Sequence, residues 1–152
     1  MTDPTIRPVN ATDLPSLLEM VQALAAYHGD TALVDMDDLA RDCLGSVPWL
    51  RVLVAACGND LIGYAALCPL VQLQFGVRGM DLHHLFVRQD VRGSGVGNAL
   101  IAESIATAKA LGCRYMTVGT KPDNVKAAQV YLAAGFEDLP PPGPRFRIKL
   151  GG

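Results

Sequence analysis

No run of apolar residues in this chain is long enough to cross a bilayer, so no membrane partner is expected. The opening residues, MTDPTIRPVN, lack the basic and apolar regions of a secretory signal. Four cysteines (Cys43, Cys57, Cys68 and Cys113) form no C-x-x-C pair and have no nearby histidine at zinc spacing, so no metal is expected. Read as buried thiols in a reducing compartment, they suggest a cytoplasmic protein. Positive charge is not in excess: 13 Lys and Arg stand against 15 Asp and Glu, a net charge of −2, which gives nucleic acid no obvious hold. Linkers, repeats and low-complexity segments are also missing, apart from LPPPGP at 139–144, which reads as a loop between two strands. What is present is 152 residues, half of them apolar, enough for one domain over 1–152 with a sizeable core.

The charge is unevenly spread. Residues 1–76 hold three basic and nine acidic side chains, net −6, and residues 77–152 hold ten basic and six acidic, net +4. Two halves of opposite sign could face two ligands of opposite sign, or could simply be scattered surface charge.

Apolar spacing predicts the element order β-α-α-β-β-β-α-β-α-β, a mixed α/β chain with a largely antiparallel first half. A strand over 5–9 leads to a helix capped by Thr12, with Pro15 in its first turn and Gly29 at its end. A second helix fits 36–44. Two apolar runs around the turn at 58–60 read as a β-hairpin, the second run reaching about Val71. A strand over 80–87, a helix over 99–111, a strand over 113–120 and a helix over 124–134 follow. Phe146, Ile148 and Leu150 alternate with Arg145, Arg147 and Lys149 as a half-buried final strand would.

Between the strand at 80–87 and the next helix, Gly93, Gly95 and Gly97 fall at alternate positions. Glycine in an ordered element costs on the order of 0.5–1 kcal/mol relative to alanine, so three together suggest that the backbone itself is needed. A glycine loop before a helix is a ready anion site, because the free N–H groups of the first turn converge and the helix dipole favours negative charge. A P-loop would need Gly-Lys-Ser/Thr, but Asn98 and Ala99 follow Gly97. A dinucleotide site would place its glycines after the first strand of a parallel sheet, and too little chain follows Arg92 for that. The diphosphate of coenzyme A and a tight turn without a ligand are the readings left.

Arg92-x-x-Gly95-x-Gly97, following a strand that ends LFV, resembles the pyrophosphate motif of the GNAT superfamily of N-acetyltransferases. Downstream, NVKAAQVYLAAGF over 124–136 is similar to that family's second cofactor motif, an asparagine and a tyrosine on a helix followed by Gly-Phe. The element order matches as well, so the resemblance covers essentially the whole chain. In the first half, LAAYHGDTALVDMDDLARDCLG followed by VLVAA, IGYAAL and DLHHLFV resembles the diamine (spermidine/spermine-type) acetyltransferase branch. That branch usually has Glu-Asp where this chain has His83-His84. Those acids lie near the amine site in the family, so the departure bears directly on the acceptor.

The resemblance implies direct transfer of an acetyl group from acetyl-CoA to a primary amine, foremost of a small molecule. A protein N-terminus or lysine as acceptor, and a CoA-binding protein without catalysis, are the alternatives. It implies that Arg92, Gly93, Ser94, Gly95, Val96, Gly97 and Asn98 cradle the pyrophosphate. Leu85, Phe86 and Val87 would offer main-chain groups to the cofactor's amide arm, in a splay between this strand and the next. One N–H of Phe86 or Val87 would polarise the thioester carbonyl. Asn124, Ala127 and Tyr131 would line the cofactor's other side, and a homodimer joined through sheet edges or C-terminal strands is implied too.

Tyr131 is the candidate acid for the leaving thiolate, since a tyrosine has a proton to give at neutral pH; the alternative is an aromatic packed on the core. His83 and His84, adjacent on a strand, are expected on opposite faces. A neutral imidazole there could take the ammonium proton, His83 before His84, or could be a hydrogen-bonded structural histidine. Tyr27, His28 and Asp30 lie where the family's substrate loop begins, although His28 also suits a helix C-cap. Asp30, Asp35, Asp37 and Asp38 could attract a cationic amine, and a solvated helix start explains Asp37 and Asp38 equally well.

Overall fold

A computed structural model describes residues 3–151, in two compact units that divide between Gly119 and Thr120. The first carries a five-stranded sheet in the order β1-β2-β3-β4-β5. Its strands are β1 (Thr5–Pro8), β2 (Arg51–Cys57), β3 (Asp60–Gln72), β4 (Val77–Val87) and β5 (Cys113–Val118). Neighbours are antiparallel as far as β4, and short connections join β2 to β3 and β3 to β4. The last pair, β4 and β5, is parallel, as the crossover through α3 (Val96–Ala110) requires. α1 (Leu14–Tyr27) and α2 (Met36–Leu39) fill the connection between β1 and β2.

The helices cover opposite faces. Leu14, Leu17 and Met20 of α1, with Leu39 and Cys43, pack on Val52, Val54, Tyr64, Ala66 and Phe86. Gly63, beside Tyr64, points the other way: a Cβ there would lie 3.2 Å from Leu100 Cδ1 of α3. Val96, Leu100, Ile101 and Ala108 are the buried apolar residues of α3. Sheet positions of both parities are therefore apolar, which explains the near-continuous apolar runs of β2 and β3.

Two local expectations need correction. Thr12 is not the helix cap. Asn10 accepts from the Thr12 N–H, and the Asp13 carboxylate accepts from the Asn10 N–H, a reciprocal capping box set two residues upstream. Asp13 is held there by Arg7 of β1 through two bonds of 2.7 and 2.9 Å, which pull its carboxyl below the usual range. The helix expected over 36–44 is α-helical only to Leu39 and widens into a π-turn over Ala40–Leu44. The Asp42 carbonyl accepts from the N–H groups of Trp49 and Leu50.

The second unit contains α4 (Val125–Ala133) and an irregular segment after it. The strand expected over 145–150 is not formed: Phe146, Ile148 and Leu150 are 95%, 81% and 92% exposed. Alternation supplies an apolar face, but a strand also needs a partner edge, and that unit has no other strand among the described residues. The thiols differ from expectation too. Cys43 is buried, whereas Cys57, Cys68 and Cys113 are half-buried, and no disulfide joins any of the four.

Candidate active site

The loop after β4 holds its shape through glycine. Gly93 and Gly95 have φ of +83° and +89°, a region that other residues enter only at a cost of roughly 1–2 kcal/mol. A Cβ at either would meet nothing within 4 Å, so the space above the loop is open. Gly95 is the N-cap of α3 and supplies no side-chain cap, while the Ala99 N–H closes the first turn on its carbonyl. The N–H groups of Val96, Gly97 and Asn98 are thus presented at a positive helix end, as a diphosphate would require. Ser94 instead turns its hydroxyl to the Val91 carbonyl. Arg92 ties the loop to the strand end, donating from Nε to the Val87 carbonyl at 2.9 Å, with its guanidinium 5.4 Å from the Tyr27 ring centroid and 6.0 Å from that of Phe86.

In β4 the ladder carries an extra residue. Ala66 pairs with His84 and Leu67 with Leu82, which leaves His83 unmatched in a β-bulge. This overturns the expectation of opposite faces. The His83 and His84 rings are stacked, 4.3 Å apart and inclined by 13°, and His84 shares the face of Tyr64 and Phe86. Strict alternation fails because the bulge spends one residue without crossing the sheet.

Beyond the bulge β4 parts from β5. Their pairing ends at Leu82 and Val118, so His83 to Val87 have no strand on that side. Arg88 donates its N–H to the Ile62 carbonyl. By the alternation of an antiparallel ladder, Phe86 and His84 also direct their main-chain groups toward β3, and Leu85 and Val87 direct theirs into the opening. Of the three residues expected to present main-chain groups there, Leu85 and Val87 turn theirs to the opening, whereas Phe86 turns its own to β3 and buries its ring in the core.

His84 is half-buried, and its Nδ1 lies 3.0 Å from the Tyr64 hydroxyl. Burial, then repulsion from His83 and His28, pushes its pKa down to about 4. An unfolded histidine titrates near 6.5. Between these values the unfolded chain takes a proton that the folded one refuses, so this group's contribution to stability is complete above pH ~6.5 and declines as the pH falls toward 4. Urea unfolding midpoints measured between pH 7 and 4.5 should therefore drop, and a His84→Gln variant should show a shallower drop. Equal slopes would mean that His84 is readily protonated in the native state.

His28 is the C-cap of α1. Gly29 and Asp30 return their N–H groups to the carbonyls of Ala26 and Ala25 in a Schellman motif, which leaves the Tyr27 ring exposed beside Arg92. Tyr27 and His28 thus reach the neighbourhood of Arg92 and the two histidines. Of the acidic cluster, Asp35 and Asp38 form the capping box of α2. Asp30 is an exposed residue just past α1. Tyr64 went unread in the sequence. A tyrosine inside an apolar strand looks like core, and only the bulge opposite it brings an imidazole to its hydroxyl.

In the second unit, Asn124 caps α4, accepting from the Ala127 N–H at 3.1 Å. The helix ends in another Schellman motif, with Gly135 and Phe136 donating to Leu132 and Tyr131. The Phe136 ring meets Tyr131 edge-on at 5.8 Å, the apolar contact usual for that motif. Burial raises the Tyr131 pKa, so the phenol keeps its proton at neutral pH. Among the described residues no group of three or more acidic, histidine or cysteine side chains could hold a metal, and no helix is long and apolar enough to cross a membrane.

The family model of the acetyltransferase (GNAT) family matches residues 17–136. A thialysine N-epsilon-acetyltransferase of Sus scrofa is 26% identical over 149 residues, covering 91% of this chain and 87% of the relative. An aminoglycoside N(6')-acetyltransferase type 1 of Klebsiella aerogenes is 27% identical over 142 residues, covering 91% and 92%. The solved structure of an aminoglycoside N-acetyltransferase in complex with CoA matches with a TM-score of 0.76 at 25% identity, covering 96% of this chain and 94% of that one.

Proposed function

The chain belongs to the acetyltransferase (GNAT) family, and from that premise we propose that it acetylates a primary amine of a small molecule at the opening beside the β4 bulge. It is an N-acetyltransferase, with acetyl-CoA as the acyl donor. The observation that carries the site is the combination of an open glycine cradle at the start of α3 with main-chain groups of Leu85 and Val87 that no strand covers. Similar proteins are named for thialysine and aminoglycosides, which favours a small acceptor over a protein chain.

Coenzyme A would be held by the N–H groups from Gly93 to Asn98 at its diphosphate and by the edge of β4 along its amide arm, with Asn124 and Ala127 contributing from α4. Bound there, it supplies an activated thioester. Val87, with its N–H directed into the opening, would hydrogen-bond the carbonyl oxygen as negative charge develops on it. His83 would take the ammonium proton directly or through water, which frees the nitrogen lone pair for attack. Tyr131 would give its phenolic proton to the sulfur as the carbon–sulfur bond breaks. Tyr27, His28 and Asp30 would border the acceptor. No step draws on a metal, and four cysteines without a disulfide suit the cytoplasm.

A mass-spectrometric screen of small amines with acetyl-CoA tests the reading. It predicts acetylated product from at least one small amine, whereas product from peptides alone would favour a protein acceptor. With an amine in hand, a base at His83 predicts a rate that falls on the acidic side of the pH profile. His83→Ala should lower kcat by about 10²-fold and flatten that limb. Protonation of His84, down at about 4, lies too low to produce a limb near neutrality. An identical limb in the variant would point to an amine that is deprotonated before it binds.

A second copy is the partner that we infer for the exposed alternation at Phe146, Ile148 and Leu150, since β5 has no strand on its far side in its own unit. Sedimentation at micromolar concentration should give a homodimer, and Phe146→Asp with Ile148→Asp should shift it toward monomer. A monomeric wild type would end this inference.

A further inference from the structure

Tyr64 stands outside every role described so far, yet it is 1% exposed and its hydroxyl partner is an imidazole of the proposed site. Burial, with Cys43 behind it, raises its pKa, so the hydroxyl holds its proton and has one hydrogen bond to give. The groups facing His84 are Tyr64 from β3, His83 stacked on it, and His28 from the end of α1, with the Arg92 guanidinium nearby on Phe86 and Tyr27. None of these is an anion, so nothing there favours an imidazolium. A neutral imidazole that accepts at Nδ1 must carry its proton at Nε2.

We propose that Tyr64 is a positioning residue for acetyl transfer: its O–H, donated to Nδ1 of His84, fixes that ring as the Nε2–H tautomer, so that His84 is a hydrogen-bond donor in the acceptor site and proton uptake falls to His83. The inference rests on the reading that acetyl transfer occurs at the β4 bulge. The bulge makes the division of labour possible, because it brings two imidazoles to one face, only one of them within reach of the buried phenol. The rings are 4.3 Å apart, and of the two only His83 is exposed, so the ring that water reaches is the one not held by the phenol.

Nitrogen-15 NMR of histidine-labelled wild type reads the tautomer without any variant. His84 should be the Nε2–H form, constant from pH 5.5 to 8.5. In Tyr64→Phe the ring should drift toward the Nδ1–H form, with kcat reduced about three- to tenfold, the worth of one hydrogen bond, and KM for acetyl-CoA little changed. His84→Gln, whose amide can accept from Tyr64 and still donate, should recover part of the rate lost in His84→Ala and keep the acidic limb of the pH profile. An Nδ1–H tautomer in the wild type overturns the proposal. So does a changed tautomer in Tyr64→Phe with kcat untouched, or loss of the acidic limb in His84→Gln. A wild type with the expected tautomer that transfers acetyl to no amine removes the acetylation reading and His84's role in it, while the Tyr64 hydrogen bond stands.

Discussion

Gly95→Asp is expected to fold and to lose coenzyme A affinity by about two orders of magnitude, roughly 3 kcal/mol. The conformational part of that loss is small, since aspartate enters the left-handed region more readily than most residues. No neighbour lies within 4 Å of the new Cβ, so the core is undisturbed. The larger part is electrostatic: a carboxylate would sit at the N-cap of α3, over the N–H groups that are to receive a diphosphate. Gly95→Ala separates the two contributions and should cost tenfold or less. Titration calorimetry beside circular dichroism makes the test. Wild-type affinity in a folded Gly95→Asp protein would remove the cofactor from this loop.

Tyr131→Phe should reduce kcat by about 10²-fold, the low end for positioned acid catalysis, because a thiolate is already a fair leaving group. The substitution keeps the ring, and with it the edge-on contact to Phe136 that closes the end of α4. Stability should therefore change little. Coenzyme A affinity should hold as well, because the diphosphate cradle lies in another part of the chain. Single-turnover rates with thermal melts of the same samples decide the matter. An unchanged kcat would return Tyr131 to a packing role, and a joint loss of affinity and stability would show that its hydroxyl is structural.

The residues most legible in the sequence were those whose function is backbone geometry. Glycines at 93 and 95 can be read because few other residues take a positive φ, and the Gly-Phe pair at 135–136 because a Schellman end needs glycine and then an apolar residue. Alternation proved less informative. It marked 145–150 as a strand although pairing depends on an edge elsewhere, and it sent His83 and His84 to opposite faces although their ladder slips by one. The slip left no mark of its own, because both faces of this sheet are apolar and a change of parity keeps an apolar run apolar. Tyr64 was hidden with it, since its role depends on the imidazole that the slip brings near its hydroxyl.

That slip also separates two ways of removing a histidine. His83→Ala takes away an imidazole and keeps the kink. Deletion of His83 takes away the supernumerary residue itself: the ladder from Leu82 to Phe86 would become regular, and Leu85 and Phe86 would keep the faces they have now. The core should accept the shorter strand, while β4 would lose the local twist that a bulge imparts. A shortened protein that folds but transfers acetyl far more slowly than His83→Ala would assign the difference to the course of the strand. Equal rates would assign the whole loss to the side chain.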